Sequence, residues 1–253
     1  MIVSFLDVFL IAAGPFIGSF VTASSRTWPD WGRITNGRST CDACHRRLPP
    51  WELVPVISFV VQRGRCSACG ASIPIVHPIG EICALAIAIV AVIAFDGATT
   101  LAAALFGWVL LFGALVDLRT FLLPDIVTLG LIPAGFGMAY IGGGREALVL
   151  AAIAAVAGFA SLALIAWIYR RLRGRDGLGI GDAKLLAAGG AWAGPIALPW
   201  IVAIGAGATL LIVVIGHFLG RKADAETAVP LGPGLAAGCF LAYSLPDLVQ
   251  ATV

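Results

Sequence analysis

Six side chains have the types and spacing that chemistry asks for: four cysteines in one polar stretch and two aspartates at the edges of apolar runs. Cys41 and Cys44 form one CxxC pair and Cys66 and Cys69 a second, with 21 residues between the pairs. Each pair sits on a tight knuckle that presents two thiolates to one ion, so the set predicts a tetrahedral Zn²⁺ site. Four sulfur ligands close the coordination sphere and give the ion a structural role. The alternative is a pair of disulfides, which persist only in an oxidising compartment. His45 and His77 read as bystanders. Cys83 and Cys239 lie inside apolar segments without a CxxC partner and read as small buried residues.

Asp117 ends an apolar segment in Leu115-Val116-Asp117-Leu118-Arg119, and Asp182 stands in Gly179-Ile180-Gly181-Asp182-Ala183-Lys184 just before another. Taken singly, each is as readily a helix-boundary acid, Asp182 being favoured by the dipole at a helix N-terminus. Together they predict more, because both fall on the same side of the membrane in helices able to pack side by side. Two carboxyls in a poorly solvated site do not both ionise readily, so a pair shares a proton. One oxygen then takes a proton from water while the other carboxyl polarises a carbonyl, which is the chemistry of aspartic peptide-bond hydrolysis. The glycines before Asp182 let backbone and substrate approach closely. Asp125, after Pro124, reads as a helix cap or a support for the pair; Asp7, Asp96 and Asp247 are weaker candidates. Glu81, near the start of an apolar segment, serves the cysteine loop or merely sits at the interface.

The elements that must position these groups are helices in lipid. Of 253 residues 60% are hydrophobic and 12% charged, too little polar surface to wrap a soluble globule. A crossing needs about 20 apolar residues. Eight such segments are expected, at 3–23, 79–95, 99–116, 126–141, 147–169, 185–200, 201–219 and 231–249, the sixth and seventh alternatively forming one kinked pair around Pro195 and Pro199. The predicted fold class is therefore an all-α polytopic membrane protein of about eight transmembrane helices, with a zinc-stapled loop domain between the first two. No basic stretch precedes the opening segment, which reads as a retained helix.

Basic loops are held in the cytoplasm. Arg26, Arg33, Arg38, Arg46, Arg47, Arg63 and Arg65 follow the first segment, Arg119 the third, Arg170, Arg171, Arg173, Arg175 and Lys184 the fifth, and Arg221 and Lys222 the seventh. A periplasmic N-terminus puts them all in the cytoplasm and leaves Arg145 outside. The cysteine loop then meets a reducing compartment, which favours zinc over disulfides. The net charge of +2 is a topological signal and gives no reason to propose nucleic-acid binding.

Three regions follow: a first helix to residue 23, a cytoplasmic loop domain at 24–78, and a membrane-embedded domain at 79–253. The loop buries too little apolar area to hold itself together without a staple. Gly14 and Gly18 read as close-packing points between helices, and no internal repeat stands out.

Asp117 with Leu123-Pro124-Asp125 resembles the first motif of the type IV prepilin leader peptidases, and Gly179-Ile180-Gly181-Asp182-Ala183-Lys184 resembles their GxGD motif. Gly18-Ser19-Phe20, the two CxxC pairs, Val54-Pro55-Val56-Ile57-Ser58 and Arg63-Gly64-Arg65-Cys66 resemble the N-terminal region of the long, bifunctional members. The resemblance covers nearly the whole chain. It implies an inner-membrane enzyme that removes the basic leader from type IV prepilins or type II secretion pseudopilins at the cytoplasmic face, with Asp117 and Asp182 catalytic. It also implies N-methylation of the new terminus with S-adenosylmethionine, in the region containing the cysteine loop. Two departures fall in that region: 21–29 replace the family's Asn-containing run, and Val76-His77-Pro78 replaces Arg-Tyr-Pro, although Glu81 remains.

Two other classes compete. A transporter uses paired intramembrane acids as an ion site near the bilayer midplane, whereas both aspartates here fall at segment ends. A scaffold that binds a partner through its zinc loop would leave the aspartates expendable.

Overall fold

The structure is a computed structural model and describes residues 4–30, 39–175, 177–218 and 229–246. Arg33, Arg38, Arg221, Lys222 and Asp247 lie outside the described residues. The described residues are helical, without a strand: α1 Phe5–Thr27, α2 Ile57–Val61, α3 Val76–Ala94, α4 Ala98–Thr120, α5 Asp125–Arg173, α6 Ile180–Ala193, α7 Leu198–Phe218 and α8 Gly232–Ser244. Short 3-10 turns occupy Pro50–Leu53 and Pro195–Ala197. Among the described residues, five stretches are long and apolar enough to cross a membrane: α1, α3, α4, α5 and Pro195–Gly216. The all-α polytopic expectation holds, and the chain is a multi-pass membrane protein. It divides into two compact units, Met1–Phe112 and Gly113–Val253.

In the first unit α1 packs on α3. Ser4 caps α1 in a reciprocal box: Asp7 N–H donates to Ser4 Oγ at 3.2 Å and Ser4 N–H to Asp7 Oδ2 at 2.7 Å. Asp7 is thereby a capping residue. Gly14 and Gly18 lie against α3, as their spacing predicts. A methyl group at Gly18 would stand 2.6 Å from Glu81 Cα and from the Gly80 carbonyl, so any side chain there would push the helices apart. Trp108 of α4 donates Nε1–H to the Ala84 carbonyl at 3.0 Å. Asp96 is exposed in the turn between α3 and α4, where its carbonyl accepts Thr99 Oγ1–H at 2.6 Å.

In the second unit the fourth and fifth expected segments appear as the two halves of α5, which breaks at Gly143 and Gly144; the latter has φ 64°, a region that favours glycine. The sixth and seventh segments are displaced from their expected bounds. α6 begins at Ile180, because Asp182 and Lys184, which end an apolar window, lie inside its first turns. It ends at Ala193, where Gly194 takes φ 80° and Pro195 opens the 3-10 turn. Pro199 sits in the first turn of α7, a position a proline tolerates, so it causes no kink.

The central helix of this unit is α6. It packs on α5, α7 and α8. Its Ala187 and Ala191 meet Ala155 of α5, with Ile132, Phe136 and Trp192 around them. Gly189 faces Cys239 of α8, and Gly190 faces the Ala154 carbonyl. Cys239 is fully buried against that glycine, a packing role. Trp192 donates Nε1–H to the Leu131 carbonyl at 2.8 Å and meets Tyr243 edge-on, their rings 5.3 Å apart.

Candidate active site and cysteine centre

Asp117 lies in the last turn of α4. Its carbonyl accepts the Phe121 N–H at 2.9 Å, and Phe121, at φ 56°, turns the chain out of the helix toward Pro124, which opens α5. Asp182 is the third residue of α6, its N–H donating to the Gly179 carbonyl at 3.1 Å. Both residues are buried, 5% and 9% exposed, an expensive place for carboxyls unless they serve a purpose. Oδ2 of Asp117 has no hydrogen-bond partner among the described residues. The two acids lie near enough for the charge of Asp117 to be felt at Asp182.

The segments that carry them are locked together by neighbouring residues. Leu123 packs on the GxGD turn, where a methyl group at Gly181 would stand 3.0 Å from Leu123 Cβ. One step along, Lys184 Nζ pairs with Asp125 Oδ1 at 2.6 Å, tying the start of α6 to the start of α5. Asp125 thus anchors the turn that places Asp182, and Pro124, whose conformation is extended, occupies the cap position.

A third segment completes the arrangement. Gly232, the first residue of α8, abuts Asp117: a methyl group there would lie 2.5 Å from Oδ2 and 2.9 Å from Cγ. Sequence reasoning missed this residue. The available signal was Pro230-Leu231-Gly232-Pro233-Gly234 at the mouth of the last apolar segment, a run that opens a helix while keeping its first turn bare.

The four cysteines converge in the first unit. Their sulfurs all lie within 4.8 Å of one another, and Cys41 Sγ stands 3.9 Å from Cys69 Sγ. Zn–S bonds of about 2.3 Å in a tetrahedron put sulfurs about 3.8 Å apart, so the set fits one such ion. The two CxxC turns repeat one local fold. Cys41 N–H donates to the Arg46 carbonyl at 2.9 Å and Cys66 N–H to the Ala71 carbonyl at 2.8 Å. Residues Thr40 and Arg47 bridge the first turn, Arg65 and Ser72 the second. His45 at φ 55° holds the place of Gly70 at φ 72°, so it is a turn residue. The amides of Cys69 and Ala68, aimed at the Cys66 sulfur, hold its thiol down at about 6, and those of Cys44 and Ala43 lower Cys41. At Cys69 the Ala71 amide lowers the thiol, but the sulfur of Cys44, burial and the other two sulfurs carry it up to about 11.

A polar clasp joins the two knuckles. Arg46 Nη2 donates to Glu52 Oε2 at 2.6 Å and to Ser67 Oγ at 2.8 Å, while Ser67 Oγ–H donates to Glu52 Oε1 at 2.8 Å. Arg26 at the end of α1 pairs with Asp42 at 2.9 Å. Glu81 of α3, buried, accepts the Val56 N–H at 2.6 Å and so holds the start of α2. Of the two roles open to it in the sequence, Glu81 serves the loop. His77 lies in the first turn of α3, outside the sulfur cluster.

The chain is similar to known proteins over most of its length. Residues 12–95 match the bacterial peptidase A24 N-terminal domain and residues 104–220 the type IV leader peptidase family. A protein of Aeromonas salmonicida named prepilin leader peptidase/N-methyltransferase is 38% identical over 213 residues, 84% of this chain and 72% of its own length. The chain belongs to the type IV leader peptidase family. A relative of the same name from Burkholderia pseudomallei is 41% identical over 203 residues, and one from Pseudomonas putida is 35% identical over 217. These alignments cover 79% and 85% of this chain, and 65% and 74% of the relatives. The chain thus spans about 65% of the length of the Burkholderia protein. No solved structure matches it. Within this chain, the N-terminal match contains the cysteine centre and the family match contains both aspartates.

Proposed function

We propose that this chain is a membrane-embedded aspartic endopeptidase that removes the leader from prepilins or pseudopilins, with Asp117 and Asp182 as its catalytic pair. The observation that supports this reading is the burial of two carboxyls, 65 positions apart in sequence and close enough to interact electrostatically, at turns lined by glycine. One carboxylate takes a proton from the attacking water; the other, protonated, donates a hydrogen bond to the scissile carbonyl and then a proton to the leaving amine. Glycines 181 and 232 keep side chains away from the approach. Asp125 and Lys184 keep the two acids in register without touching substrate.

In this reading residues 1–23 form a first helix, 24–78 a cytoplasmic metal-binding domain, and 79–253 the peptidase domain. The ion is Zn²⁺, held by Cys41, Cys44, Cys66 and Cys69 and supplying cross-linking rather than Lewis acidity. The distribution of Lys and Arg supports an inner-membrane chain with a periplasmic N-terminus and a site open to the cytoplasm. N-methylation of the new terminus, with S-adenosylmethionine as methyl source, is supported by the relatives' names. An ion-carrier role is disfavoured by the aspartates' place at helix ends.

The test is cleavage of a prepilin-type substrate by the purified protein in lipid, wild type against Asp117→Asn and Asp182→Asn, with helix and zinc content checked. Each substitution abolishes leader removal on this reading. Normal cleavage by either variant excludes its role.

A further inference from the structure

The cysteine domain carries an apolar face that neither the metal centre nor the carboxyl pair uses. Along α2, Ile57, Val60 and Val61 recur at helical spacing and are all exposed, Val61 by 75%; Trp51 in the preceding 3-10 turn is 72% exposed. Ile75, just before α3, is exposed as well. A contiguous apolar stripe of this kind marks an interaction surface.

Its height relative to the bilayer is set by one hydrogen bond. The Val56 N–H at the start of α2 donates to Glu81 Oε2, and Glu81 lies on α3 between Ile79 and Ile82, both exposed on a helix long and apolar enough to span. The stripe therefore begins level with the second turn of that helix. Arg63 and Arg65, both exposed, follow immediately. Tryptophan, aliphatic side chains and arginine in one short amphipathic element is the composition that lies in a headgroup layer.

We propose that α2 and Trp51 form a membrane-surface anchor, in which Ile57, Val60, Val61 and Trp51 enter the boundary between headgroups and acyl chains of an anionic bilayer while Arg63 and Arg65 meet its phosphates. The occupant of the stripe is the membrane's own lipid. The cysteine domain is thereby held against the bilayer at a fixed depth.

The full chain is reconstituted in nanodiscs of phosphatidylcholine and phosphatidylglycerol, with and without lipids brominated at the chain carbons nearest the headgroup. The Trp51 signal is taken by difference from Trp51→Phe. Bromolipid quenches at least half of that signal in the wild type. The double variant Val60→Asp with Val61→Asp loses most of the quenching while keeping its zinc and helix content, and replacing phosphatidylglycerol by phosphatidylcholine, or Arg63 by Gln, weakens it. A Trp51 signal untouched by bromolipid in the wild type overturns the proposal, as does quenching that survives the double substitution. A Trp51 signal that shifts only when a prepilin peptide is added reassigns the stripe to a protein partner.

Discussion

Lys184 Nζ stands 2.6 Å from Asp125 Oδ1 and joins the two motifs that carry the aspartates. The pair is partly exposed, Asp125 more than Lys184, so water screens it and its contribution to stability is at most about 1 kcal/mol. Its importance is geometric, since the Asp125 end follows Leu123, which packs on the GxGD turn.

Breaking this pair is expected to reduce cleavage more than stability. Lys184→Met and Asp125→Asn each lower kcat by about five- to tenfold with thermal midpoints nearly unchanged, and the double variant is no worse than either single one. Additive losses in that double-mutant cycle would mean the two residues act separately.

Gly232→Ala tests the third segment. Its methyl group would overlap the Asp117 carboxyl, and a displacement of about 1 Å at a reacting group costs about a hundredfold in rate. Leader cleavage falls by about that factor, while zinc content is retained. Wild-type turnover by this variant would show that Asp117 has room to spare.

Glu81→Gln retains a carbonyl acceptor but loses the charge that strengthens the Val56 bond. The cost is about 1 kcal/mol, concentrated in the cysteine domain. Limited proteolysis should nick residues 39–75 several-fold faster, with cleavage at the helices of the second unit unchanged.

The thiols predict how metal and protons compete. With Cys66 held at about 6, that sulfur is already a thiolate at pH 7.5, whereas Cys69, at about 11, is still a thiol. Zinc binding to the metal-free protein at pH 7.5 therefore releases fewer than four protons. Below pH 6 Cys66 must give up a proton too, so release rises toward four and affinity falls; in the metal-free protein the folding contribution of its lowered pKa, full above the ordinary thiol value, declines as pH falls and is gone once pH drops below about 6. Calorimetry in buffers of differing ionisation enthalpy reads the count. Four protons released at pH 7.5 would contradict the geometry around Cys66.

The sequence reveals this molecule where a short-range rule applies. CxxC spacing locates both knuckles because two residues between cysteines suffice to turn the chain, and apolar length finds each long crossing because lipid thickness sets it. Asp117 and Asp182 were legible as acids at the ends of apolar runs. The start of α6 was not, because Asp182 and Lys184 break an apolar window, yet one is buried near another carboxyl and the other is paired with Asp125. Gly232 escaped notice for a related reason: its meaning lies in contact with a residue 115 positions away. Asp7 and Glu81 were visible as acids, but their hydrogen-bond partners decide their work.

The 14 residues of α6 rise about 21 Å, well short of the roughly 30 Å hydrocarbon thickness, and the 13 of α8 rise less. The innermost helices of the second unit are thus shorter than the 21-residue α7 beside them. Neither helix reaches across the whole layer, so the turns that carry Asp182 and Gly232 at their starts are held in place by packing against neighbouring helices and not by a span of their own.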